Sequence, residues 1–301
     1  MPDPLYVICN PQAGRGKGAR ILPRLLEALR RRGQDVEHAL TRAAGEERTL
    51  AADAVARGHR TVAVVGGDGT WSNAAAGLLD SGQGSSVRLG LVPAGTGADL
   101  ARTFAIPRDA AGCARVLVEG RPRPLDAGRI EGRFFFNLVG FGYDVAVIED
   151  TRKVRRLSGP ALYLFCALRQ LRRFRGFQPR IEVDGQALPA PRALMVTISS
   201  GRVFGGGFPL WPEADPGDGR MEALVVHDAS MLGRLALLQR LRRGRHHGRP
   251  GVSGASGRTF RLSFPEPPRY ETDGEWNQAR TADLTIETLP AALQVLAPFR
   301  D

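Results

Sequence analysis

The residues with the clearest chemical potential in this sequence lie in the segment Thr61–Trp71, which reads TVAVVGGDGTW. An apolar strand runs directly into a turn that is rich in glycine, namely Gly66, Gly67 and Gly69. Glycines lack a β-carbon, so their N–H groups can approach phosphate oxygens closely, and Asp68 could hold Mg²⁺ directly or through water. Thr70 can cap the following helix or bond a phosphate. The segment predicts a nucleotide-phosphate site, although an ordinary turn between a strand and a helix explains it equally well.

The chain around this segment alternates predicted strands and helices, as a parallel sheet with helical crossovers requires. The predicted strands are Leu5–Cys9, Val36–Ala39, Thr61–Val65 and Arg88–Val92, and the helices are Ala19–Arg31, Glu46–Ala56 and Trp71–Leu79. We therefore predict a three-layer α/β nucleotide-binding domain over residues 1–128. Ligands of such sheets bind beyond the carboxyl ends of the strands, so the loops after Cys9, Val65 and Val92 are expected to converge.

The pattern changes near Arg129 to short alternating apolar runs separated by Gly, Pro and Asp turns. This alternation is typical of antiparallel sheet and predicts a β-rich second domain over residues 129–281, with one main helix at Leu157–Phe174. The Gly-, Pro- and Arg-rich residues 244–257 are predicted to form a mobile loop. The apolar runs are Arg133–Val139, Arg180–Val183, Ala193–Ser199, Arg220–Val226, Arg258–Phe264 and Leu284–Leu289.

Composition limits the class of protein. The 301 residues include 43% hydrophobic side chains, which suits a globular protein of about two domains. Only three cysteines occur, without a CxxC spacing, so neither a disulfide framework nor a cysteine zinc site is predicted, and a cytoplasmic location fits best. No signal-peptide pattern or apolar run long enough to span a membrane is present.

The chain is strongly basic, with 42 Lys and Arg against 31 Asp and Glu, a net charge of +11. Such a charge favours anionic partners: phosphates, lipid headgroups or nucleic acid. Arginines cluster in residues 152–156, 169–175 and 240–249, and the first two clusters flank the apolar predicted helix. That combination predicts transient contact with an anionic membrane surface, unless the helix simply packs on its own domain with solvated arginines. Aromatic residues make up only 7% and no nucleic-acid motif occurs, so no nucleic-acid partner is expected.

Three motifs together resemble those of the diacylglycerol kinase catalytic family, in the family's order and spacing. They are NPQAGRGK at Asn10–Lys17, GGDGT at Gly66–Thr70 and PAGTGADLAR at Pro93–Arg102. Later blocks extend the resemblance over nearly the whole chain: LDAG at Leu125–Gly128, FNLVGFGYD at Phe136–Asp144, GGGFPLWPEADPGDGRM at Gly205–Met221 and TDGE at Thr272–Glu275. The GGDGT motif alone is weak evidence for this family because NAD kinases share it, whereas the ordered set of motifs is specific to the family. The sequence is similar to bacterial soluble lipid kinases related to sphingosine and ceramide kinases.

The resemblance implies an ATP-binding α/β domain and a C-terminal β-sandwich domain, with the active site in the cleft between them. It implies ATP and Mg²⁺ as cofactors, a lipid substrate, and a final segment, residues 282–301, that returns to the first domain. Whether the protein forms a homodimer is left open. The residues that the resemblance assigns to the nucleotide are Asn10, Pro11, Gln12, Ala13, Gly14, Thr41, Gly66, Gly67, Asp68, Gly69, Thr70 and Thr96.

Phosphoryl transfer requires a group that accepts the proton of the attacking hydroxyl. The resemblance points to TDGE, with Glu275 as first choice for this acceptor and Asp273 as second choice, or as a positioning or metal-linked group. Asp68 completes the predicted catalytic set. Residues two apart in an extended segment project to one face, so both TDGE acids could face the cleft. The alternative is a solvated hairpin turn, because Asp-Gly is a common turn dipeptide.

Asp68, Asp99 and Asp126 stand in family-like contexts and could form an acidic network that positions Mg²⁺. The resemblance maps a second, more structural Mg²⁺ site to Asp215, Asp218 and the backbone carbonyl of Arg220; a tight turn without metal is the alternative. These three residues share the segment that ends in PGDGR.

One position departs from the family pattern, because Ala98 stands where the family usually carries Asn. A methyl group cannot replace the hydrogen bonds of an amide, so nucleotide affinity or lipid choice could differ.

These features predict an ATP-dependent lipid kinase that transfers the γ-phosphoryl group to the hydroxyl of a diacylglycerol-like or related lipid at the inner membrane face. Two alternatives stay open: an NAD kinase-like enzyme, and a basic lipid-binding or nucleic-acid-binding protein with an inactive kinase fold. Hydrolases are disfavoured, because no GxSxG elbow and no metal-binding histidine spacing occur.

Overall fold

The computed structural model describes residues 4–95, 97–154, 157 and 160–299. Thr96, which was predicted to lie near the nucleotide, is outside the described residues. None of the helices in the described ranges is long and apolar enough to cross a membrane.

The N-terminal part is a parallel sheet covered by helices. Its strands are β1 (Leu5–Cys9), β2 (Val36–Leu40), β3 (Thr61–Gly66) and β4 (Arg88–Pro93), in the spatial order β2, β1, β3, β4. Its helices are α1 (Ala13–Arg30), α2 (Glu46–Ala56), α3 (Asp68–Asp80), α4 (Asp99–Thr103) and α5 (Ala110–Glu119). Every residue of β1 and β3 is buried, which requires cover on both faces of the sheet and explains their unbroken apolar runs. The predicted three-layer α/β domain is confirmed.

This sheet continues into the C-terminal part through two long strands. β5 (Arg121–Ile130) and β18 (Asp283–Ala297) pair antiparallel along most of their lengths. The end of β18 also pairs parallel with β4, through Gln294 and Val295, whereas its beginning pairs with β15 (Thr259–Ser263). Beyond β15 follow β8 (Arg180–Val183) and β9 (Gln186–Leu188), and β6 (Arg133–Phe135) pairs with β5. The predicted boundary at residue 128 therefore falls inside a strand.

A second, antiparallel sheet packs against this extension. Its order is β14 (Val252–Gly257), β13 (Met221–His227), β10 (Ala193–Ser199), β7 (Leu138–Gly142), β16 (Arg269–Thr272) and β17 (Glu275–Gln278). One buried cluster joins Ile181 and Phe260 of the first sheet to Val196 and Tyr270 of the second, so the inner faces form one core. The predicted C-terminal β-sandwich is confirmed. A short hairpin, β11 (Val203–Phe204) and β12 (Phe208–Pro209), adjoins it.

Among the described residues of the C-terminal part, three helices are present where one main helix was predicted: α6 (Tyr143–Lys153), α7 (Pro160–Arg173) and α8 (Met231–Arg242). Leu237 and Leu241 of α8 pack on Leu194 and Leu224 of the antiparallel sheet, so α8 covers its outer face. The prediction of a mobile loop over residues 244–257 is wrong in its second half, because β14 pairs with β13 from Val252 to Gly257. Sequence analysis assigned this strand to a loop because Gly, Pro and Arg are crowded in residues 244–257.

Candidate active site

The loops after β1, β3 and β4 meet at the carboxyl edge of the parallel sheet, and glycine makes the contact possible. A β-carbon on Gly95 would lie 2.6 Å from the Cα of Gly67, and one on Gly14 would lie 1.9 Å from the carbonyl oxygen of Ala94. Ala94 and Gly95 donate their N–H groups to the carbonyl of Gly66, at 2.8 and 3.1 Å. The three loops that were predicted to converge are therefore in direct contact.

Asp68 begins α3 and connects the second loop to the third. Its carboxylate oxygens accept the backbone N–H groups of Ala98, at 2.8 Å, and Asp99, at 2.9 Å, at the start of α4. A carboxylate at a helix N-terminus is favoured by the helix dipole. Ala98 supplies its backbone to this contact in a left-handed conformation, with φ of 57°, which asparagine adopts more readily than alanine. An asparagine at this position, which is usual in the family, would therefore suit the backbone conformation as well as supply an amide group.

The predicted nucleotide residue Asn10 is held by neighbours on both sides. Its Oδ1 accepts the N–H of Gln12 at 3.0 Å, and its Nδ2 donates to Thr70 Oγ1 at 3.2 Å and to Glu47 Oε1 at 3.4 Å. Thr41 joins the same strand end, because its N–H donates to the carbonyl of Cys9 at 2.9 Å. The side chain of Asn10 therefore organises the loop from within.

Sequence analysis missed Glu47, which is only 2% exposed beside Asn10. Burial raises the pKa of its carboxyl group, and Oε2 has no hydrogen-bond partner among the described residues. In the sequence it is one of two acids in the first turn of a predicted helix. Its spacing to Ala51 and Ala54, four and seven positions further on, places it on the buried face of that helix and was the available signal.

The predicted turn residues Pro11, Gln12 and Ala13 connect β1 to α1. The chain then makes a left-handed turn at Gly14, Arg15 and Gly16, with φ of 57°, 58° and 82°, before the regular helix continues. Gly18 follows, where a β-carbon would lie 2.1 Å from the carbonyl oxygen of Asn10. The glycine spacing of this motif therefore serves close backbone packing as well as any ligand.

The TDGE segment forms the hairpin between β16 and β17. Asp273 and Gly274 have φ of 49° and 88°, as a two-residue turn with positive φ at both positions requires, and Thr272 pairs with Glu275. The segment thus has the backbone conformation of a hairpin turn, as the alternative interpretation stated. Asp273, however, is not simply solvated.

The carboxylate of Asp273 accepts four hydrogen bonds. Oδ2 accepts the hydroxyl of Ser72 at 2.7 Å and the N–H of Phe136 at 2.9 Å. Oδ1 accepts the N–H groups of Asn137 and Leu138 at 2.8 and 3.0 Å. Burial raises the pKa of Asp273, while these four hydrogen bonds oppose that shift. These contacts interrupt the predicted strand Arg133–Val139, which is two strands, β6 and β7, in the structure.

Glu275 extends an exposed side chain toward the glycine loop. Its Oε1 lies 3.9 Å from the position that a β-carbon on Gly69 would occupy. Asp68 and Glu275 therefore flank the same first turn of α3, although they are far apart in the sequence. Both predicted acids therefore lie where the hairpin of the C-terminal part meets the first turn of α3.

A second contact between the two halves of the molecule is made by Asp99. Asp99 Oδ2 accepts the N–H of Gly206 at 2.9 Å, in the glycine-rich stretch Gly205–Gly207, and Oδ1 forms an ion pair with Arg102 at 2.8 Å. Burial raises the pKa of Asp99, and the charge of Asp68 adds to the effect. Asp68 and Asp99 are therefore neighbours, as the predicted acidic network requires.

Asp126 belongs to another cluster. It is fully buried, and its oxygens accept the N–H groups of Gly219 and Ala291, both at 2.7 Å. Burial raises its pKa, and the charges of Asp215 and Asp218 contribute. Its carboxylate thus holds the predicted second metal loop against β18. The expectation that Asp126 works with Asp68 and Asp99 is not matched by these contacts.

The predicted second metal site lies in an exposed turn. Asp215 Oδ1 accepts the N–H of Gly217 at 3.2 Å, and Asp218 Oδ1 accepts that of Arg220 at 2.9 Å. The guanidinium of Arg220 turns away, donating to Ser256 at 3.0 and 2.6 Å. Across the described ranges, no group of three or more His, Cys, Asp or Glu side chains is arranged to hold a metal ion. The predicted site contains two carboxylates and a carbonyl, which is fewer carboxylates than such a group requires. Metal binding there therefore stays a prediction.

Two helices of the C-terminal part expose large apolar side chains. Cys166 and Leu171 of α7 are buried, whereas Tyr163, Leu164, Phe165 and Leu168 are 45 to 62% exposed. On α8, Leu232 is 80% exposed and Met231 and Leu235 are less so. The helices touch, because Arg234 of α8 donates to the carbonyl of Leu171 at 2.6 Å. Arginines fill the last turn of each helix, namely Arg172, Arg173, Arg240 and Arg242.

Comparison with known proteins agrees with this architecture. Residues 4–130 match the diacylglycerol kinase catalytic domain, and residues 137–297 match the YegS C-terminal NAD kinase beta sandwich-like domain. A diacylglycerol kinase of Mycobacterium tuberculosis is 31% identical over 97% of this chain and 94% of its own length. One from Staphylococcus haemolyticus is 26% identical over 90% of this chain and 81% of its own.

Solved structures share the fold. A crystal structure of a diacylglycerol kinase from Bacillus anthracis superposes with a TM-score of 0.71 at 20% identity, covering 98% of this chain and 97% of that one. Another crystal structure from the same organism gives a TM-score of 0.81 at 22% identity, with the same coverage. The resemblance found in the motifs is confirmed, and with it the assignment as a kinase. The chain belongs to the diacylglycerol kinase family of enzymes.

Proposed function

We propose that this protein is an ATP-dependent lipid kinase that transfers the γ-phosphoryl group to the hydroxyl of a diacylglycerol-like or related lipid. The observation that carries the proposal is the position of Glu275 beside Gly69, at the turn where the glycine loop enters α3. Phosphate groups on that loop would have a carboxylate next to them that can accept the proton of an attacking hydroxyl. The names of the curated relatives support the lipid substrate class.

Each predicted site residue then has a role. The N–H groups of the glycine loop and the N-terminus of α3 would bind the phosphates. Asn10, Thr41 and Thr70 would border the nucleotide, with Thr96 from the third loop. Asp68 would hold that loop in place through its two backbone hydrogen bonds, and Asp273 would position the hairpin. Glu275 would accept the hydroxyl proton.

The reaction also implies Mg²⁺, which when bound neutralises charge on the phosphates. Asp68, which lies within the glycine loop, and Asp99, whose N–H donates to Asp68, are the candidate ligands for this ion. For a second, structural ion, Asp215 and Asp218 offer the hard oxygen ligands that Mg²⁺ prefers, together with the carbonyl of Arg220. The guanidinium of Arg220 donates to Ser256 rather than to these two carboxylates, which supports the proposed ion, because the positive charge is held elsewhere.

We further propose that the protein works as a peripheral enzyme at the inner membrane face. A lipid substrate lies in a bilayer, so the enzyme has to approach one. The exposed apolar side chains of α7 and α8, bordered by arginines, suit an anionic bilayer, because apolar groups enter the interface while arginines attract the headgroups.

The test is phosphate transfer from γ-labelled ATP to vesicles of total bacterial lipid, with NAD as a competing acceptor in parallel reactions. The proposal expects label in a lipid product and none in NADP. Label in NADP alone would establish the NAD kinase-like alternative. Stabilisation against heat by ATP, without transfer to either acceptor, would establish an inactive kinase fold that binds nucleotide.

A further inference from the structure

We propose that Ser72 is a positioning residue for phosphoryl transfer, because its hydroxyl holds the hairpin that carries Glu275 against the helix that begins at the glycine loop. Ser72 Oγ donates to Asp273 Oδ2 at 2.7 Å, and the two residues are 201 positions apart. Ser72 lies in the first turns of α3, one turn beyond Asp68, while Asp273 lies between β16 and β17. The inference rests on the proposed function, which assigns proton acceptance to Glu275.

The hydrogen bond matters because the other donors to Asp273 all lie at the start of β7 or in the two residues before it. A carboxylate has about four acceptor positions, and those of Asp273 are filled by Ser72 and by the N–H groups of Phe136, Asn137 and Leu138. The three N–H groups fix Asp273 within the C-terminal part. Ser72 alone among these four donors lies on α3, so its hydroxyl ties the hairpin directly to the helix that begins at the glycine loop.

Glu275 follows Asp273 after one residue, and Glu271 holds the hairpin from the other side by accepting the N–H of Gly274 at 2.6 Å. Any shift of Asp273 away from α3 therefore moves the Glu275 carboxylate away from Gly69. Catalytic groups lose roughly 100-fold in rate when they are misplaced by about 1 Å. The contact between Asp99 and Gly206 still joins the two halves when the Ser72 hydroxyl is removed.

The experiment compares Ser72→Ala, Ser72→Thr and the control Ser81→Ala, with ATP and lipid vesicles. Ser81 ends the same helix, and its hydroxyl donates only locally, to the carbonyl of Leu78 at 2.6 Å. We expect Ser72→Ala to lower kcat roughly 10- to 100-fold with KM for ATP within about twofold. Ser72→Thr keeps the hydroxyl and should recover most of kcat, and Ser81→Ala should match the wild type.

A double-mutant cycle with Glu275→Gln separates positioning from general damage. If Ser72 acts through Glu275, Ser72→Ala costs little further activity once Glu275 is Gln. Wild-type kcat in Ser72→Ala, or equal losses in both backgrounds, overturns the inference. A loss in Ser72→Thr as large as that in Ser72→Ala also overturns it. Absence of lipid phosphorylation by the wild type would overturn the proposed function instead, so the two failures are distinguishable.

Discussion

Glu275 differs from the other acids of the candidate active site in what its carboxylate contacts. Asp68, Asp99 and Asp273 accept backbone N–H groups, whereas no described residue donates a hydrogen bond to the Glu275 carboxylate. A carboxylate without such donors keeps its lone pairs for a substrate proton. The sequence places Asp273 and Glu275 two positions apart in one motif, and only the structure separates the acid that holds the hairpin from the acid that faces the glycine loop.

We therefore expect Glu275→Gln to lower kcat roughly 10²- to 10⁴-fold in lipid phosphorylation, the usual contribution of a general base, with KM for ATP little changed. Glu266→Gln is the matched control, because Glu266 is an exposed glutamate in the same half of the molecule. A Glu275→Gln enzyme with wild-type kcat would remove this residue from the proton-transfer step.

At the scale of elements, α7 and α8 form a surface that packing on the protein itself does not use. The two helices bury Cys166, Leu171, Leu237 and Leu241 against their own domain and leave other apolar side chains in solvent. The alternative that α7 simply packs on its own domain thus accounts for one face of the helix only. Sequence analysis made no prediction for most of α8, because its basic cluster, residues 240–249, covers only the end of this helix.

We expect Leu164→Glu to weaken cosedimentation with phosphatidylglycerol vesicles roughly tenfold, since an inserted leucine contributes about 1.5–3 kcal/mol and a glutamate is repelled by the headgroups. Val118→Glu is the control, because Val118 is an exposed apolar residue on α5, in the other half. Activity toward a short-chain substrate dissolved in detergent should be unchanged. Equal sedimentation of Leu164→Glu and wild type would exclude α7 from membrane contact.

At the scale of the whole molecule, a buried acid pair makes folding sensitive to pH. Asp144 of α6 and Glu271 of β16 lie on either side of Gly140, and neither Asp144 oxygen has a partner among the described residues. Burial raises the pKa of Asp144 to about 7 and raises that of Glu271 well above its usual value, with the charge of Asp144 as a second cause. The folded protein therefore keeps a proton that the unfolded chain, with an Asp pKa of about 3.9, has already lost.

The sign follows from proton linkage: the folded state binds more protons than the unfolded state, so stability falls as pH rises from about 4 to about 7. Asp144→Asn removes the titration and keeps the shape, so its Tm should fall less between pH 5 and pH 8 and exceed the wild-type Tm at pH 8. Asp53→Asn, an exposed control, should keep the wild-type slope. If Tm changes equally with pH in Asp144→Asn and in the wild type, Asp144 does not hold the proton that makes folding sensitive to pH.

The sequence by itself determined the elements whose signals are local. Leu5–Cys9 and Glu46–Ala56 have the predicted bounds, because apolar periodicity and flanking turn residues act within a few positions. The glycine loops were likewise predictable, since a strand that ends in glycine before a helix places its loop at the carboxyl edge of the sheet. The motif set also indicated the family.

Only the tertiary structure decided how these parts meet. β18 pairs with both β4 and β15, so it belongs to both halves of the molecule. The hydroxyl of Ser72 reaches Asp273 only because folding brings α3 beside a hairpin that is 201 positions away in the sequence. Burial of Glu47 and Asp144 likewise depends on neighbours distant in the chain. The sequence showed which acids belong to the site. It did not show which of them hold the loops in place and which one faces the glycine loop, because hydrogen bonding and desolvation depend on the folded surroundings of each side chain.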